Sequence, residues 1–325
     1  MPGLRRLKEV EALTSRALTN RVFTGVWAMG SGKGGVGRSF LAANLGCVSA
    51  RREYTTNVVD LDFGGGNLHT FLSHPEGSTG FRDILRTPAD LDHLPTSGDI
   101  PGLRLITGVG PEGDVPSASD RRRFLHRLVG TGAHLHILDL EGGASQRALD
   151  FFLAAERPIV VIVPEPASVE NAHRFVRRVY ARTLEDRAKA LGVSRPLFRR
   201  EVLTRRPWKP PDLFERLEGI RPGLGETLQN QMRSFYLYLL VNQVRHYSDI
   251  EVGHALKNAI QGYFDIRMRF VGGVRHDPDA WLSVRRRRIR ARENAADALV
   301  ADLSLVLDNL DADRDVDPPT VPEDV

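Results

Sequence analysis

Cysteine is nearly absent: Cys47 is the single one in 325 residues. One thiol cannot close an intrachain disulfide or build a cysteine-rich metal site, so structural zinc and cysteine-held iron–sulfur clusters made by one chain are excluded. Long apolar runs are missing too. No stretch of about 18 apolar residues exists and the amino terminus has no apolar signal core, which points to a cytoplasmic protein. Tyrosine is sparse, and none of the six lies beyond Tyr263, so there is no tyrosine-rich tail. What remains is ordinary: 41% apolar residues, 26% charged and 30 glycines, which excludes collagen-like, disordered and disulfide-scaffold classes. The length allows two domains or one large α/β unit, and suffices to bury most of the surface exposed on unfolding.

The charge is uneven. Lys+Arg number 45 against 41 Asp+Glu, a net of +4, yet residues 297–325 hold nine acids and one base, Arg314. That segment carries −8 and leaves +12 on residues 1–296. A basic body with an acidic tail suits a partner bearing phosphates or acidic surface.

Strand-like apolar runs at 23–29, 57–61, 103–107, 135–140, 158–163, 236–242 and 269–274 alternate with helical stretches at 38–51, 120–129, 145–155, 168–190 and 250–264. Near-continuous apolar strands separated by helices predict βαβ units. The expected fold is α/β: one domain over 23–296, a mainly parallel sheet of about seven or eight strands with helices on both faces. Three stretches leave the rhythm. Residues 1–22, with Leu4-Arg5-Arg6-Leu7-Lys8, read as a basic arm or surface helix. Residues 191–222 are an Arg/Pro-rich excursion, with Arg205-Arg206-Pro207 and Lys209-Pro210-Pro211. Residues 297–325 hold the end of the last helix and an acidic, Pro-containing tail, expected to be disordered beyond about Asn309.

The run Gly32-Lys33-Gly34-Gly35-Val36-Gly37-Arg38-Ser39 follows the first strand and opens the first helix. It matches the phosphate-loop pattern G-x-x-x-x-G-K-[ST] except that Arg38 stands for the lysine. Glycines there let backbone N–H groups turn around an anion, the helix terminus adds its dipole, and Ser39 places a hydroxyl for Mg²⁺. The alternative is a Gly-rich turn with no ligand. Asp60-Leu61-Asp62-Phe63-Gly64-Gly65-Gly66-Asn67-Leu68-His69 closes the second strand, where open α/β sheets bind ligands, although these acids would equally cap the next helix. Ile137-Leu138-Asp139-Leu140-Glu141-Gly142-Gly143 ends the fourth strand in a carboxylate, the shape of a Walker B segment that holds Mg²⁺. His69, His134 and His136 have no metal-ligand spacing with other donors.

Taken in order, these motifs resemble the MinD/ParA family of P-loop ATPases (SIMIBI class), and most closely its MinD and FlhG branch. The carriers are K-G-G-x-G-K-[ST] at Lys33–Ser39, with Arg38 for the second lysine, D-x-D-x-G-x-x-N-L at Asp60–Leu68, and P-E-P-x-S-V at Pro164–Val169. The resemblance implies ATP and Mg²⁺ as ligands and an ATP-dependent homodimer that positions a cellular structure, such as flagella, under slow hydrolysis. It implies that Lys33 reaches across the dimer and that Asp62 orients the attacking water. Gly32, Gly34, Gly35, Val36, Gly37, Arg38 and Ser39 would cradle phosphates, and Gly143 would sense the γ-phosphate. Ser39 and Asp139 would hold Mg²⁺, with Asp60 in its outer shell or supporting the loop. Asn242 would read adenine, and Arg275 would touch ribose or base. A regulator or cargo protein is implied without being named.

Four departures bear on this. Arg38 is bulkier and forked compared with lysine, which favours a hydrolysis-deficient sensor as the alternative. Glu141 puts an acid where the family has a small or neutral residue. The last helix carries acids where MinD and FlhG carry a basic membrane helix, so no intrinsic membrane anchor is expected there. The arm lacks an FlhG-type activating motif. Residues 285–292 hold six arginines, which suit either non-specific DNA, as in ParA-type partition proteins, or a solvated surface. A third use is an autoinhibitory pairing with the acidic tail.

Overall fold

A computed structural model describes residues 23–63, 65–66, 68–71, 80–86, 100–107, 116–203, 208–293 and 297–317. The basic arm 1–22, Gly64, Asn67, Arg205-Arg206-Pro207 and the tail 318–325 lie outside them. Seven strands form one sheet: β1 (Phe23–Gly30), β2 (Thr56–Leu61), β3 (Leu103–Thr107), β4 (Leu135–Leu140), β5 (Ala155–Ile162), β6 (Tyr236–Val244) and β7 (Arg267–Arg275). Their order is β3-β2-β4-β1-β5-β6-β7, and every pairing is parallel. The expected mainly parallel α/β sheet is what forms.

Successive side chains of each strand enter opposite cores, so both faces demand apolar residues. On β1, Val26 and Ala28 face one core and Trp27 and Met29 the other; β6 divides likewise, with Leu237, Leu239 and Val241 against Tyr238 and Leu240. One face is covered by helices Arg38–Arg51 and Ala298–Asp311. The other is covered by helices Ala118–Val129, Gln146–Ala154, Pro166–Ala190 and Tyr247–Phe264. The Arg/Pro-rich excursion is built into this second face. Helices Arg195–Glu201 and Pro210–Ile220 start on prolines at N1 or N2 and bury Phe198, Val202, Leu213, Phe214 and Leu217. Trp208 is buried there with the Arg177 guanidinium 4.3 Å from its ring centroid.

The carboxyl-terminal segment corrects one expectation. The last helix runs to Asp311 and buries Leu299, Leu303, Val306, Leu307 and Leu310 against β7 and the helix after β1. Beyond it the chain stays docked rather than disordered. Val316 N–H donates to Phe270 O at 2.8 Å, and Asp315 accepts from Phe270 N at 2.8 Å and pairs with Lys257 at 2.8 Å. Asp313 meets Arg269 and the Tyr238 hydroxyl. The acids that look disorder-promoting in composition are the anchors of this strap. Among the described residues no helix is long and apolar enough to cross a membrane.

β1 lies where strand order reverses: the chain goes from β1 to β2 on one side, and from β4 to β5 on the other. A crevice opens outside the carboxyl ends of strands at such a switch point.

Candidate functional site

The loop that leaves β1 into this crevice is shaped by glycine. Gly35 and Gly37 have φ of 85° and 87°, a left-handed backbone that other residues enter only with strain. A Cβ on Gly34 or Gly35 would meet nothing within 4 Å, so the outer face of the loop is open. Gly32 is different: a Cβ there would lie 2.0 Å from Asn171 O, so the loop needs glycine to pass the helix Pro166–Ala190. Gly37 begins helix Arg38–Arg51, whose first N–H groups and dipole face the crevice. Val36 carries the loop's carbonyl brace: Asn242 Nδ2, at the end of β6, donates to Val36 O at 2.9 Å. Asn242 is buried, and its amide crowds Gly37 so closely that a Cβ there would sit 2.3 Å away.

Arg38 turns inward. Its guanidinium is buried; Nε donates to Leu140 O at 3.0 Å, and Nη1 donates to Lys33 O at 3.0 Å and to Ser31 Oγ. Nε lies 3.8 Å from Asp139 Oδ1. Burial lowers its pKa, partly offset by the charges of Asp139, Asp62 and Glu141.

Asp139 ends β4, fully buried. Desolvation pushes its pKa up to about 7, with Asp60 adding to the rise and the Ser39 hydrogen bond and Arg38 opposing it. Its Oδ1 has no hydrogen-bond partner among the described residues. An orphaned carboxylate oxygen beside the Ser39 hydroxyl is a donor set that fits Mg²⁺, which takes one or two protein oxygens and fills its shell with phosphate and water. Ser39 and Asp139 would hold the ion there, where it would neutralise phosphate charge.

Asp60 caps the turn that follows β2. Its oxygens accept from Asp62 N and Leu68 N, each at 3.1 Å, the latter opening the turn Leu68–Phe71. Burial raises its pKa to about 6. Asp60 therefore folds the loop that carries Asp62, and Gly66 N–H donates to Asp62 O at 2.9 Å within that loop. Glu141 is paired within its own loop and helix: Arg147 Nη2 donates to it at 2.9 Å and Ser145 Oγ donates to its other oxygen. The Arg147 guanidinium also sits 5.4 Å from the Phe63 ring centroid, beside Asp62. Gly143, at φ 90°, donates its N–H to Ser31 O at 2.9 Å.

Lys33 points the other way, outward. Its Nζ is 3.9 Å from Glu165 at the turn after β5, and the two side chains are 38% and 57% exposed. Arg275 is engaged within the chain: its guanidinium forks onto Asp302 at 2.8–3.1 Å and reaches Ala298 O at 3.3 Å, tying β7 to the last helix. The arginine run is not uniform either. Arg290 pairs with Asp277 at 2.8 Å and Asp297 at 2.6 Å, and Ile289 and Ala291 are buried, while Arg285–Arg288 are exposed beside Trp281, itself 58% exposed. Asp308, Asp313 and Asp315 of the acidic segment pair with Arg52, Arg269 and Lys257, which draws them away from that run. Ser31, Glu165 and Arg147 also border the site; Ser31 adjoins the Gly32–Ser39 motif and Glu165 lies in the Pro164–Val169 motif, whereas nothing in sequence spacing points to Arg147.

Residues 27–279 match the profile of the CobQ/CobB/MinD/ParA nucleotide binding domain. A septum site-determining protein MinD of Synechocystis is 28% identical over 149 residues, 45% of this chain and 56% of that protein. The flagellum site-determining protein YlxH of Helicobacter pylori is 26% identical over 155 residues, 46% of this chain and 52% of that protein. The chain thus spans about half the length of the curated relatives it matches. Among solved structures, MinD of Pyrococcus horikoshii complexed with Mg-ADP superposes with a TM-score of 0.58 at 17% identity, over 89% of this chain and 96% of that one. At that identity the likeness concerns the fold.

Proposed function

Because the chain belongs to the CobQ/CobB/MinD/ParA nucleotide-binding domain family, we propose that it is a cytoplasmic ATP-dependent switch that dimerises face to face, hydrolyses ATP slowly and positions a cellular structure. Flagellar placement is the branch favoured by the Asp62-Phe63 and Pro164-Glu165-Pro166 segments and by the YlxH likeness. The observation that carries the proposal is the opposed aim of two cations on one loop. Arg38 is buried against Asp139 inside its own subunit, whereas Lys33 stands at the surface beside half-exposed Glu165, within reach of a second molecule.

In this reading Gly34, Gly35, Gly37 and Ser39 present their N–H groups to the phosphates, and Asn242 braces the loop at Val36 while facing the base side. Asp62 orients the attacking water, held in place by the turn that Asp60 caps. Lys33 of each subunit stabilises charge on the other subunit's leaving phosphate. The test is solution mass with and without Mg·ATP, with phosphate release followed in the same sample. A dimer that decays as phosphate appears is the expected result, and Lys33→Ala should abolish both signals. No change in mass at saturating nucleotide sinks the proposal.

Two observations favour other readings. The anchored Arg38 fits a sensor that binds ATP without turnover, which a lasting dimer and no phosphate would identify. Exposed Arg285–Arg288 with Trp281 fit DNA riding, since arginines track phosphates and an exposed indole stacks on bases. Affinity for a DNA duplex that falls steeply with salt, and weakens in an Arg286→Ala/Arg288→Ala variant, would identify that one.

A further inference from the structure

Resting on the reading of this loop as a nucleotide site, we propose that Arg38 makes the site select a nucleoside diphosphate over the corresponding triphosphate. Sheet order sets the direction of the phosphate chain. The base side lies at β6 with Asn242, and the carboxylate loops lie at β4 and β2, on the other side of β1. A third phosphate therefore belongs on the β4 side. There the protein is bonded to itself. Arg38 joins Leu140 O on β4 to Lys33 O and Ser31 Oγ on the loop. Ser31 Oγ donates to Lys33 O at 2.6 Å, and Gly143 N–H closes onto Ser31 O at 2.9 Å. Gly142 packs so tightly that a Cβ on it would stand 2.7 Å from Gly34 N.

Farther along the loop that seal ends: Gly35 is exposed, and a Cβ on it would meet nothing within 4 Å. Two phosphates can sit at the terminus of helix Arg38–Arg51 with the seal intact. A third has to part Gly143 from Ser31 and draw the guanidinium off its three acceptors. A lysine would not build the same seal, because its ammonium is a single point of charge on a flexible stem whereas the guanidinium fork bonds β4 and the loop from different nitrogens. The switch is thereby biased to its diphosphate state, and loading with triphosphate is the step that opens the β4 loop.

The experiment is a calorimetric titration of the full chain with Mg·ADP and with the Mg²⁺ complex of a non-hydrolysable ATP analogue, repeated on Arg38→Lys. We expect ADP to bind at least about tenfold more tightly in the parent chain, the net worth of one or two hydrogen bonds given up, and the ratio to fall to about threefold or less in Arg38→Lys. An analogue that binds the parent chain as tightly as ADP overturns the proposal while leaving the nucleotide site standing. A parent preference that Arg38→Lys leaves unchanged removes Arg38 from the explanation. Failure of both ligands to bind overturns the site reading itself. Should Arg38→Lys not fold, the two parent titrations still decide the selectivity.

Discussion

Replacing Gly142 by alanine probes the contact between the β4 loop and the phosphate loop directly. The new methyl would stand 2.7 Å from Gly34 N, 3.1 Å from Gly34 Cα and 3.1 Å from Lys33 C. All three are backbone atoms, so no side-chain rotation relieves the clash and the two loops must separate. Overpacking of this kind costs about 1–3 kcal/mol. Separation also breaks the Gly143–Ser31 bond, a further loss of about 1 kcal/mol. The expected destabilisation of the nucleotide-free chain is therefore about 2–4 kcal/mol, read as a lower urea midpoint at constant slope. Gly34→Ala is the internal control, because its methyl enters open space and should cost less than about 1 kcal/mol. Equal effects of the two substitutions, or a Gly142→Ala loss below about 0.5 kcal/mol, would refute the close approach on which the sealed β4 side depends.

Other perturbations have signs fixed by the structure. His136, fully buried on β4 beside Asn57, has its pKa pushed down to about 4 by desolvation. Its neutral form is favoured on folding, so its contribution is fully present above the unfolded pKa near 6.5 and is lost as pH falls towards 4. Between pH 7 and pH 5 this removes about 2 kcal/mol, and His136→Gln should show a correspondingly shallower acid slope in urea denaturation. Asn242→Ala leaves buried Val36 O without its donor, which should cost about 1–3 kcal/mol and weaken ADP binding in the same calorimetric assay. Arg275→Ala should leave ADP affinity within about twofold, since the guanidinium is committed to Asp302; a tenfold loss would restore it as a base or ribose contact.

What could be read from the sequence was whatever physics makes local. β2 and β4 are buried along their whole length, so their apolar runs announce parallel strands. The glycines of the loop after β1 and the carboxylate near the end of β4 sit at fixed offsets from strand ends, so their places in the crevice follow from spacing. Pairings between distant residues were not legible. Arg275 finds Asp302 27 positions on, and Lys257 finds Asp315 58 positions on, and composition cannot match such partners. The same holds for Arg38. Its identity is plain in the motif, yet its inward fold depends on Leu140 O, 102 residues away and supplied only when β4 pairs with β1. Glu141 likewise takes its partners, Arg147 and Ser145, from the segment that follows β4.

The strap formed by Asp313–Val316 has a consequence for how this molecule behaves in company. β7 is a terminal strand of a parallel sheet, and a row of unpaired amides and carbonyls there would template pairing with any extended chain, including another copy. Val316 and Asp315 occupy both the carbonyl and the amide of Phe270, midway along that row, and charged neighbours flank them. At the opposite end of the sheet Gly80 bridges Thr107 on β3. Each rim is thus blunted by the chain's own segments, which in the proposed dimer leaves association to surfaces such as the one bearing Lys33.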